Sequence, residues 1–253
     1  MPVQMKKLSK IRLDNLLVER GLADGLQRAR ALILEGVVIA GDQVADKAGT
    51  MFPADANIRI RGDAHRYVSR GGIKLDGALE TFRLSVRELV TLDVGASTGG
   101  FTDCLLQAGA RKVYAVDVGY GQLAWKLRTD PRVVNIERTN IRNYDGAEIA
   151  DEIDIAVIDA SFISLRTVIP PVLGLMGNGA SLICLVKPQF EVARGEVGAK
   201  GVVRDPLLHE RTLAQLETFC REIGLAVLGR CASPLLGPAG NREFFLHLKK
   251  GSG

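Results

Sequence analysis

One stretch near the middle of the chain restricts the fold more than any other. An apolar run at 89–92 leads into Asp93, a turn of small residues follows at 94–100, and apolar residues from Phe101 onward repeat at helical spacing. This order predicts a strand, a glycine loop and a helix. Glycines let the backbone approach a ligand closely, and a helix start offers free N–H groups. The spacing is neither G-x-G-x-x-G nor G-x-x-x-x-G-K-[ST], which argues against a nucleotide pyrophosphate site.

A second acid supports a ligand site at this loop. The run 112–116 predicts the next strand and ends in Asp117, where a carboxylate can accept both hydroxyls of a ribose. The loop and this acid together resemble the S-adenosylmethionine site of class I methyltransferases. The alternative is a glycine-rich turn in an ordinary α/β domain. The resemblance implies cofactor contacts from Asp93, Gly95, Ala96, Ser97, Gly99, Gly100, Asp117, Asn140 and Ile141, of which the last two follow the third strand and would contact adenine.

Composition favours a folded protein of one or two domains. The 253 residues are 47% hydrophobic and 25% charged, a balance that suits a buried core and argues against disorder. No apolar run approaches the ~20 residues of a spanning helix, and segment 1–10 lacks the apolar region of a signal peptide. The cysteines form no C-x-x-C pair, which favours buried thiols over disulfides or zinc. We therefore expect a cytoplasmic, monomeric protein without a membrane partner or a metal site. The four cysteines are Cys104, Cys184, Cys220 and Cys231.

The positive charge is concentrated in the first quarter of the chain. Residues 1–72 hold 12 of the 33 basic and 8 of the 29 acidic residues, so the whole net charge of +4 lies there. This asymmetry indicates an anionic partner for the N-terminal part. A solvated surface is the alternative, because a surplus of four charges is small.

Residues 1–62 predict a small α+β domain after a flexible tail at 1–10. Helical spacing marks 12–20 and 27–34, with Leu26, Ala29, Ile33 and Leu34 inward, and strands are predicted at 37–40, 43–44 and 56–61. The order of Arg-Leu-Asp, Arg-Ala-Arg and Gly-Val-Val-Ile-Ala-Gly resembles the αL RNA-binding motif. That motif implies guanidinium contacts to RNA phosphates, and the alternative is a domain stabilised by surface ion pairs. The candidate RNA contacts are Arg12, Arg20, Arg28, Arg30 and Arg70.

Beyond a connector at 63–72, strand and helix patterns alternate through residues 73–250. This alternation predicts a mainly parallel sheet covered on both faces, closed by a final hairpin. The segment 188–205 is rich in glycine and charge, and a loop of that length is often functional. Strands are predicted at 89–93, 112–117, 132–136, 153–159, 179–187, 226–233 and 242–248, and helices at 100–108, 121–128, 164–176 and 206–223.

Charged side chains stand where a parallel sheet places its ligand, at the carboxyl ends of strands. One predicted strand ends in Asp159, another ends in Lys187, and Glu243 begins the last. A lysine directly after a buried strand is costly unless it is paired, and Asp159 and Glu243 are the candidate partners. Taken singly, each residue is also consistent with a structural ion pair.

Together with Lys74, these three residues match the Lys-Asp-Lys-Glu tetrad of FtsJ-like ribose 2′-O-methyltransferases. The order of the motifs along almost the whole chain is similar to that of the TlyA family, often labelled haemolysin A. The resemblance implies a seven-stranded, Rossmann-like class I α/β fold with S-adenosylmethionine as the cofactor. It also implies methylation of a cytidine ribose in ribosomal RNA or ribosomal subunits. Some family members act on both subunits and others on the large one alone, and the sequence does not decide between these.

The resemblance also implies roles for the tetrad. Lys187 would contact the 2′-OH and either take its proton or stabilise the alkoxide, while Asp159 would orient Lys187. Lys74 and Glu243 would fix the substrate and the geometry. Nearby carboxylates favour an ammonium, which cannot be a base, whereas burial and a neighbouring cation favour the neutral amine.

Two other functions fit parts of the sequence. The family label suggests a membrane-lytic protein, but no run is long and apolar enough for a spanning helix. The second alternative is a non-catalytic RNA-binding or ribosome assembly factor with an inactive methyltransferase fold. All four tetrad positions are filled, which argues against it.

Overall fold

The computed structural model describes residues 10–251 apart from residues 24, 42, 61–65 and 238. The chain divides into two compact units, Met1–Ala64 and His65–Gly253. The predicted tail up to residue 9 and the connector up to residue 65 lie outside the described residues. The last three residues of the predicted connector belong to a helix that begins at Arg70.

The smaller unit packs two helices against short antiparallel strands. Leucines 13, 16 and 17 are buried because they share one face of the first helix. One sheet has the order β3-β2-β5, and β1 pairs with β4. Neither β1 nor β4 was predicted, since each has a single partly buried residue between two exposed ones. The elements are β1 (Lys10–Arg12), α1 (Leu13–Glu19), α2 (Leu26–Leu34), β2 (Val38–Ala40), β3 (Gln43–Val44), β4 (Met51–Pro53) and β5 (Ile58–Ile60).

Two leucines of α2 contradict the predicted inward face. Leu26 is 43% exposed and Leu34 is 62% exposed, whereas Ala29 and Ile33 are buried. The buried stripe runs through Ala29 and Ile33, and the two exposed leucines lie in the neighbouring i, i+4 row with Arg30.

The larger unit is a seven-stranded sheet with a hydrophobic core on each face. Predicted and observed strands agree to within three residues. The predicted helix at 121–128 is wrong in its first half, because Ala124 is extended and the helix begins at Trp125. The elements are α3 (Arg70–Phe82), β6 (Val90–Val94), α4 (Gly100–Gln107), β7 (Lys112–Val116), α5 (Trp125–Arg128), β8 (Val133–Ile136), β9 (Ile153–Ile158), α6 (Leu165–Leu175), β10 (Met176–Val186), α7 (Pro206–Glu222), β11 (Leu225–Ala232) and β12 (Phe244–Lys250).

Strand order decides where this sheet can hold a ligand. The order is β11-β12-β10-β9-β6-β7-β8, with β10 to β8 parallel and β12 antiparallel to both neighbours. The order reverses between β6 and β9, and a crevice forms beyond the carboxyl ends of strands at such a switch point. Because β12 runs the other way, its first residues reach this same edge. Within the described part of the chain, no helix is long and apolar enough to cross a membrane.

Candidate active site

The loop after β6 is shaped so that only glycine fits at two positions. Gly95 has φ +85° and Gly99 has φ +96°, in the left-handed region that side chains rarely adopt. A Cβ on Gly95 would lie 2.5 Å from the carbonyl oxygen of Asp159, and one on Gly100 would lie 2.2 Å from Ser69 Oγ. The backbone N–H of Ala96 bonds to the Val116 carbonyl. The glycine loop therefore lies directly against the end of β9.

Asp93 carries an unpaired oxygen into this site. Its side chain is fully buried, and Oδ2 accepts a 2.6 Å hydrogen bond from Thr102. Oδ1 has no donor among the described residues. Burial raises the pKa of Asp93 to about 7, with smaller contributions from the charges of Asp159 and Asp117 and opposition from the Thr102 hydrogen bond. A buried carboxylate oxygen without a donor fits the ammonium group of a bound amino acid moiety such as that of S-adenosylmethionine.

Asp117 closes the other side of the glycine loop. Its oxygens accept the N–H groups of Ser97 at 2.8 Å and Gly119 at 2.6 Å, and the side chain remains partly exposed. Each oxygen keeps a lone pair for a ligand hydroxyl. Gln122, which sequence reasoning missed, contacts Ser97 Oγ at 3.3 Å. These groups fit a ribose.

Asn140 and Ile141 lie after β8 but differ in what they offer. Asn140 Oδ1 accepts the N–H of Arg142 at 3.2 Å and begins a short 3-10 turn. The side chain of Ile141 is buried in the main core. At Ile141, therefore, the backbone and not the side chain is left for a contact to adenine.

The four residues of the tetrad form two ion pairs. Lys187 Nζ lies 2.5 Å from Asp159 Oδ1, and Lys74 Nζ lies 2.6 Å from Glu243 Oε2. Lys187 also donates a 2.7 Å hydrogen bond to Ser161 Oγ, which sequence reasoning did not single out. Both lysines and Glu243 are buried. Of the two predicted partners for Lys187, the structure selects Asp159, and Glu243 pairs with Lys74 instead.

Opposing effects set the ionisation of Asp159. Burial raises its pKa, but the positive charges of Lys187 and Lys74, with the hydrogen bond from Lys187, outweigh burial and hold the pKa below its ordinary value. Asp159 is therefore ionised at neutral pH. An ionised carboxylate can hold the Lys187 amine through an N–H group.

Three further contacts join the loop after β9 to the turn after β10. Glu191 accepts the Ser164 hydroxyl and the Leu165 N–H, both at 2.7 Å, at the N-terminus of α6. The rings of Phe162 and Phe190 lie 5.0 Å apart. Phe162 has φ +64° and is 84% exposed, and left-handed backbone in a bulky residue costs about 1–2 kcal/mol. The surrounding contacts hold this strained residue at the edge of the site.

The long segment 188–205 is fastened to the start of β12. Buried Asn241 accepts the N–H of Val203 and donates to the carbonyl of Gly201, both at 2.9 Å. His209 of α7 contacts the Val203 carbonyl at 2.9 Å. These hydrogen bonds hold the end of the segment in place, and the segment begins directly after Lys187.

In the smaller unit, Asp14 organises two of the predicted RNA-binding arginines. Arg12 bonds both of its oxygens, at 3.0 and 2.8 Å, and Arg30 bonds Oδ2 at 3.0 Å. The Arg12 hydrogen bond chiefly holds the pKa of buried Asp14 at about 2. Both guanidinium groups remain about half exposed. One carboxylate against two cations leaves a net positive surface here.

The other three predicted arginines differ from these. Arg20 donates to the carbonyls of Ala56 and Ala54 at 2.6 and 2.5 Å, so two of its donors are used within the unit. Arg28 lies 3.5 Å from Glu35 and keeps partial exposure. Arg70, in the larger unit, donates to the Leu236 carbonyl at 3.3 Å.

Known proteins resemble this chain over nearly its full length. Residues 67–250 match the model of the FtsJ-like methyltransferase family. The 16S/23S rRNA (cytidine-2′-O)-methyltransferase TlyA of Mycobacterium tuberculosis is 48% identical over 241 residues, which cover 95% of this chain and 90% of that relative. Hemolysin A of Brachyspira hyodysenteriae is 41% identical over 94% of this chain and 99% of its own. A solved Streptococcus thermophilus structure labelled as a hemolysin superposes with a TM-score of 0.75 at 40% identity, covering 97% of this chain and 90% of that one.

Proposed function

The chain belongs to the TlyA family of FtsJ-like methyltransferases, and from that premise we propose that it methylates a cytidine 2′-OH of ribosomal RNA. The observation that carries the proposal is the Lys187–Asp159 pair beside the Lys74–Glu243 pair at the carboxyl edge of the sheet. The glycine loop reaches the same edge, so a methyl donor and a hydroxyl can meet there.

S-adenosylmethionine is the proposed cofactor. When bound, it supplies a methyl group on a sulfonium, which an oxygen nucleophile displaces. Asp93 Oδ1 would take the methionine ammonium, the glycine loop would lie along the methionine end, and Asp117 would take the ribose hydroxyls. The backbone at Asn140 and Ile141 would contact adenine.

Lys187 is the proposed base. A ribose hydroxyl is a weak nucleophile near neutral pH, so it has to be positioned and deprotonated. Asp159 would hold the Lys187 nitrogen beside the glycine loop. The Lys74–Glu243 pair would set the position of the ribose. The proton of the 2′-OH passes to Lys187 Nζ and the oxygen takes the methyl group.

Phe162 and the exposed arginines supply the proposed RNA contacts. An exposed ring in a strained backbone offers a stacking face for the target base or its neighbour, as aromatic side chains do with unstacked RNA bases. Arg12, Arg28, Arg30 and Arg70 would contact phosphates, which gives affinity with little sequence information. The proposed partners are ribosomal RNA or ribosomal subunits, which implies a cytoplasmic enzyme, and a monomer is the proposed active form.

Methyl transfer to undermodified ribosomes tests the proposal. Labelled cofactor is incubated with the protein and small subunits, large subunits or free RNA, and the products are digested and analysed for 2′-O-methylcytidine. We expect label in that nucleoside, and mapping it assigns the subunit. RNA binding without transfer would favour an assembly factor, and leakage from liposomes would favour a membrane-lytic protein.

A further inference from the structure

We propose that Ser161 is a positioning residue for methyl transfer, a role that rests on the function proposed above. Its Oγ accepts a 2.7 Å hydrogen bond from Lys187 Nζ, although the serine itself is exposed and lies outside the tetrad. An exposed serine ordinarily bonds to water. Here it bonds the nearly buried amine at the centre of the site.

The geometry of the nitrogen gives Ser161 its role. Nζ is tetrahedral, with one bond to Cε and three other positions. Ser161 Oγ accepts an N–H at 2.7 Å and so occupies one position, and Asp159 Oδ1 lies in ion-pair contact with the nitrogen at 2.5 Å. With a single partner, the Lys187 amine could rotate about the line that joins Nζ to that partner. With two partners this rotation is blocked, and the direction of the remaining position is fixed.

That third position is where the 2′-OH proton has to arrive. A neutral amine has two N–H groups and one lone pair, so when Asp159 and Ser161 accept both N–H groups the lone pair takes the third position. The O–H bond of the ribose breaks as a new N–H bond forms on Lys187. The oxygen electron pair forms the bond to the methyl group, whose former bonding pair stays with the donor sulfur.

The loop around Ser161 is held so that this contact persists. Phe162 follows at φ +64°, and its ring lies against Phe190. Ser164 and the Leu165 N–H bond to Glu191. These contacts join the two loops that carry Ser161 and Lys187, so the distance between the hydroxyl and the amine is set by the fold.

Three variants test the role of Ser161. Ser161→Ala should slow single-turnover methylation about ten- to hundredfold. This loss is a large part of the rate enhancement that a well-placed general base contributes. The dissociation constants for cofactor and RNA, measured by calorimetry and filter binding, should stay unchanged. Ser161→Thr keeps a hydroxyl and should recover most of the rate. Ser85→Ala is the matched control, because it removes an exposed hydroxyl before β6, at the opposite edge of the sheet, where Ser85 Oγ accepts the Arg87 N–H, and it should react at close to the wild-type rate.

Three outcomes would overturn the proposed role of Ser161. An unchanged rate in Ser161→Ala overturns the proposal. So does an equal loss in Ser85→Ala, since that would show that the effect is not specific to the hydroxyl beside Lys187, and so does a failure of threonine to recover the rate. The wild-type assay tests the proposed function separately. If the wild type transfers no methyl group, the enzyme assignment fails, whereas the role of Ser161 is tested by comparing the variants with an active wild type.

Discussion

Lys74 Nζ lies 2.6 Å from Glu243 Oε2, although the residues are 169 positions apart and both side chains are almost fully buried. The pair ties α3 to the start of β12. Taking two charges out of water is costly, and such a pair is stable only while both members are present.

Removing one member should destabilise the protein more than removing both. We expect Lys74→Met to lower the free energy of unfolding by about 3–5 kcal/mol, because Glu243 is left as an unpaired buried charge. The double variant Lys74→Met/Glu243→Leu should regain most of that stability, and we expect both to be inactive. Urea unfolding measures the difference. Equal instability of the single and double variants would show that packing, and not charge, links the two residues.

The ligand-free protein should lose stability between pH 6 and pH 8 because of Asp93. Its folded-state pKa of about 7 lies above the value near 3.8 of an ordinary aspartate, so the folded state binds the proton more tightly. That stabilisation is full only below about pH 3.8, declines as the pH rises towards 7, and its last part, roughly 1 kcal/mol, is lost between pH 6 and pH 8.

Asp93→Asn should remove this part of the pH dependence and weaken cofactor binding. Thermal unfolding at both pH values and calorimetry with S-adenosylmethionine give the two readouts. The assignment to Asp93 is wrong if the variant shows the same difference in Tm as the wild type.

Two arginines that the sequence places in one class should behave differently. Arg30→Ala should weaken RNA binding and reduce the slope of log K against log salt by about 0.7–0.9, the effect of one phosphate contact, and it should lose less stability than Arg20→Ala because Arg12 still bonds both oxygens of Asp14. Arg20→Ala should instead lower the unfolding free energy by about 1.5–3 kcal/mol, since it loses two hydrogen bonds to carbonyls. Anisotropy titrations at several KCl concentrations and thermal unfolding test both variants. An equal loss of RNA affinity from folded Arg20→Ala would contradict the structural role.

Lys187→Ala should abolish methyl transfer while cofactor and RNA binding persist. Lys187→Arg should not restore activity, because a guanidinium stays protonated at any working pH. Lys112→Ala is the control, since Lys112 pairs with Asp151 at the opposite edge of the sheet and should leave the single-turnover rate unchanged. Near-normal turnover by either Lys187 variant would exclude this residue as the base.

Phe162→Ala and Phe162→Gly separate stacking from backbone strain. Both lose the ring, so both should slow methylation and weaken RNA binding to the same degree. Glycine adopts φ +64° without strain, so Phe162→Gly should be more stable than Phe162→Ala by about 1 kcal/mol. Activity assays and urea unfolding give the two comparisons. Unimpaired methylation by both would remove Phe162 from the RNA contacts.

Local patterns in the sequence determined the strands, the glycine loop and the charged residues at the strand ends. The runs leading to Asp93, Asp159 and Lys187 are apolar because their strands are buried on both faces, and a parallel sheet brings its strand ends to one edge. Helical periodicity is also a local property of the chain, and it predicted the two helices of the smaller unit.

Only the tertiary structure decided which charged groups meet. Lys187 had two candidate partners, and the antiparallel insertion of β12 between β10 and β11 placed Glu243 beside Lys74 instead. Arg20 and Arg30 look alike in the sequence, yet Arg20 bonds to carbonyls 34 and 36 residues away. Ser161 acquired its contact with Lys187 in the same way. Such pairings depend on distances between segments far apart in the chain, which periodicity and spacing do not encode.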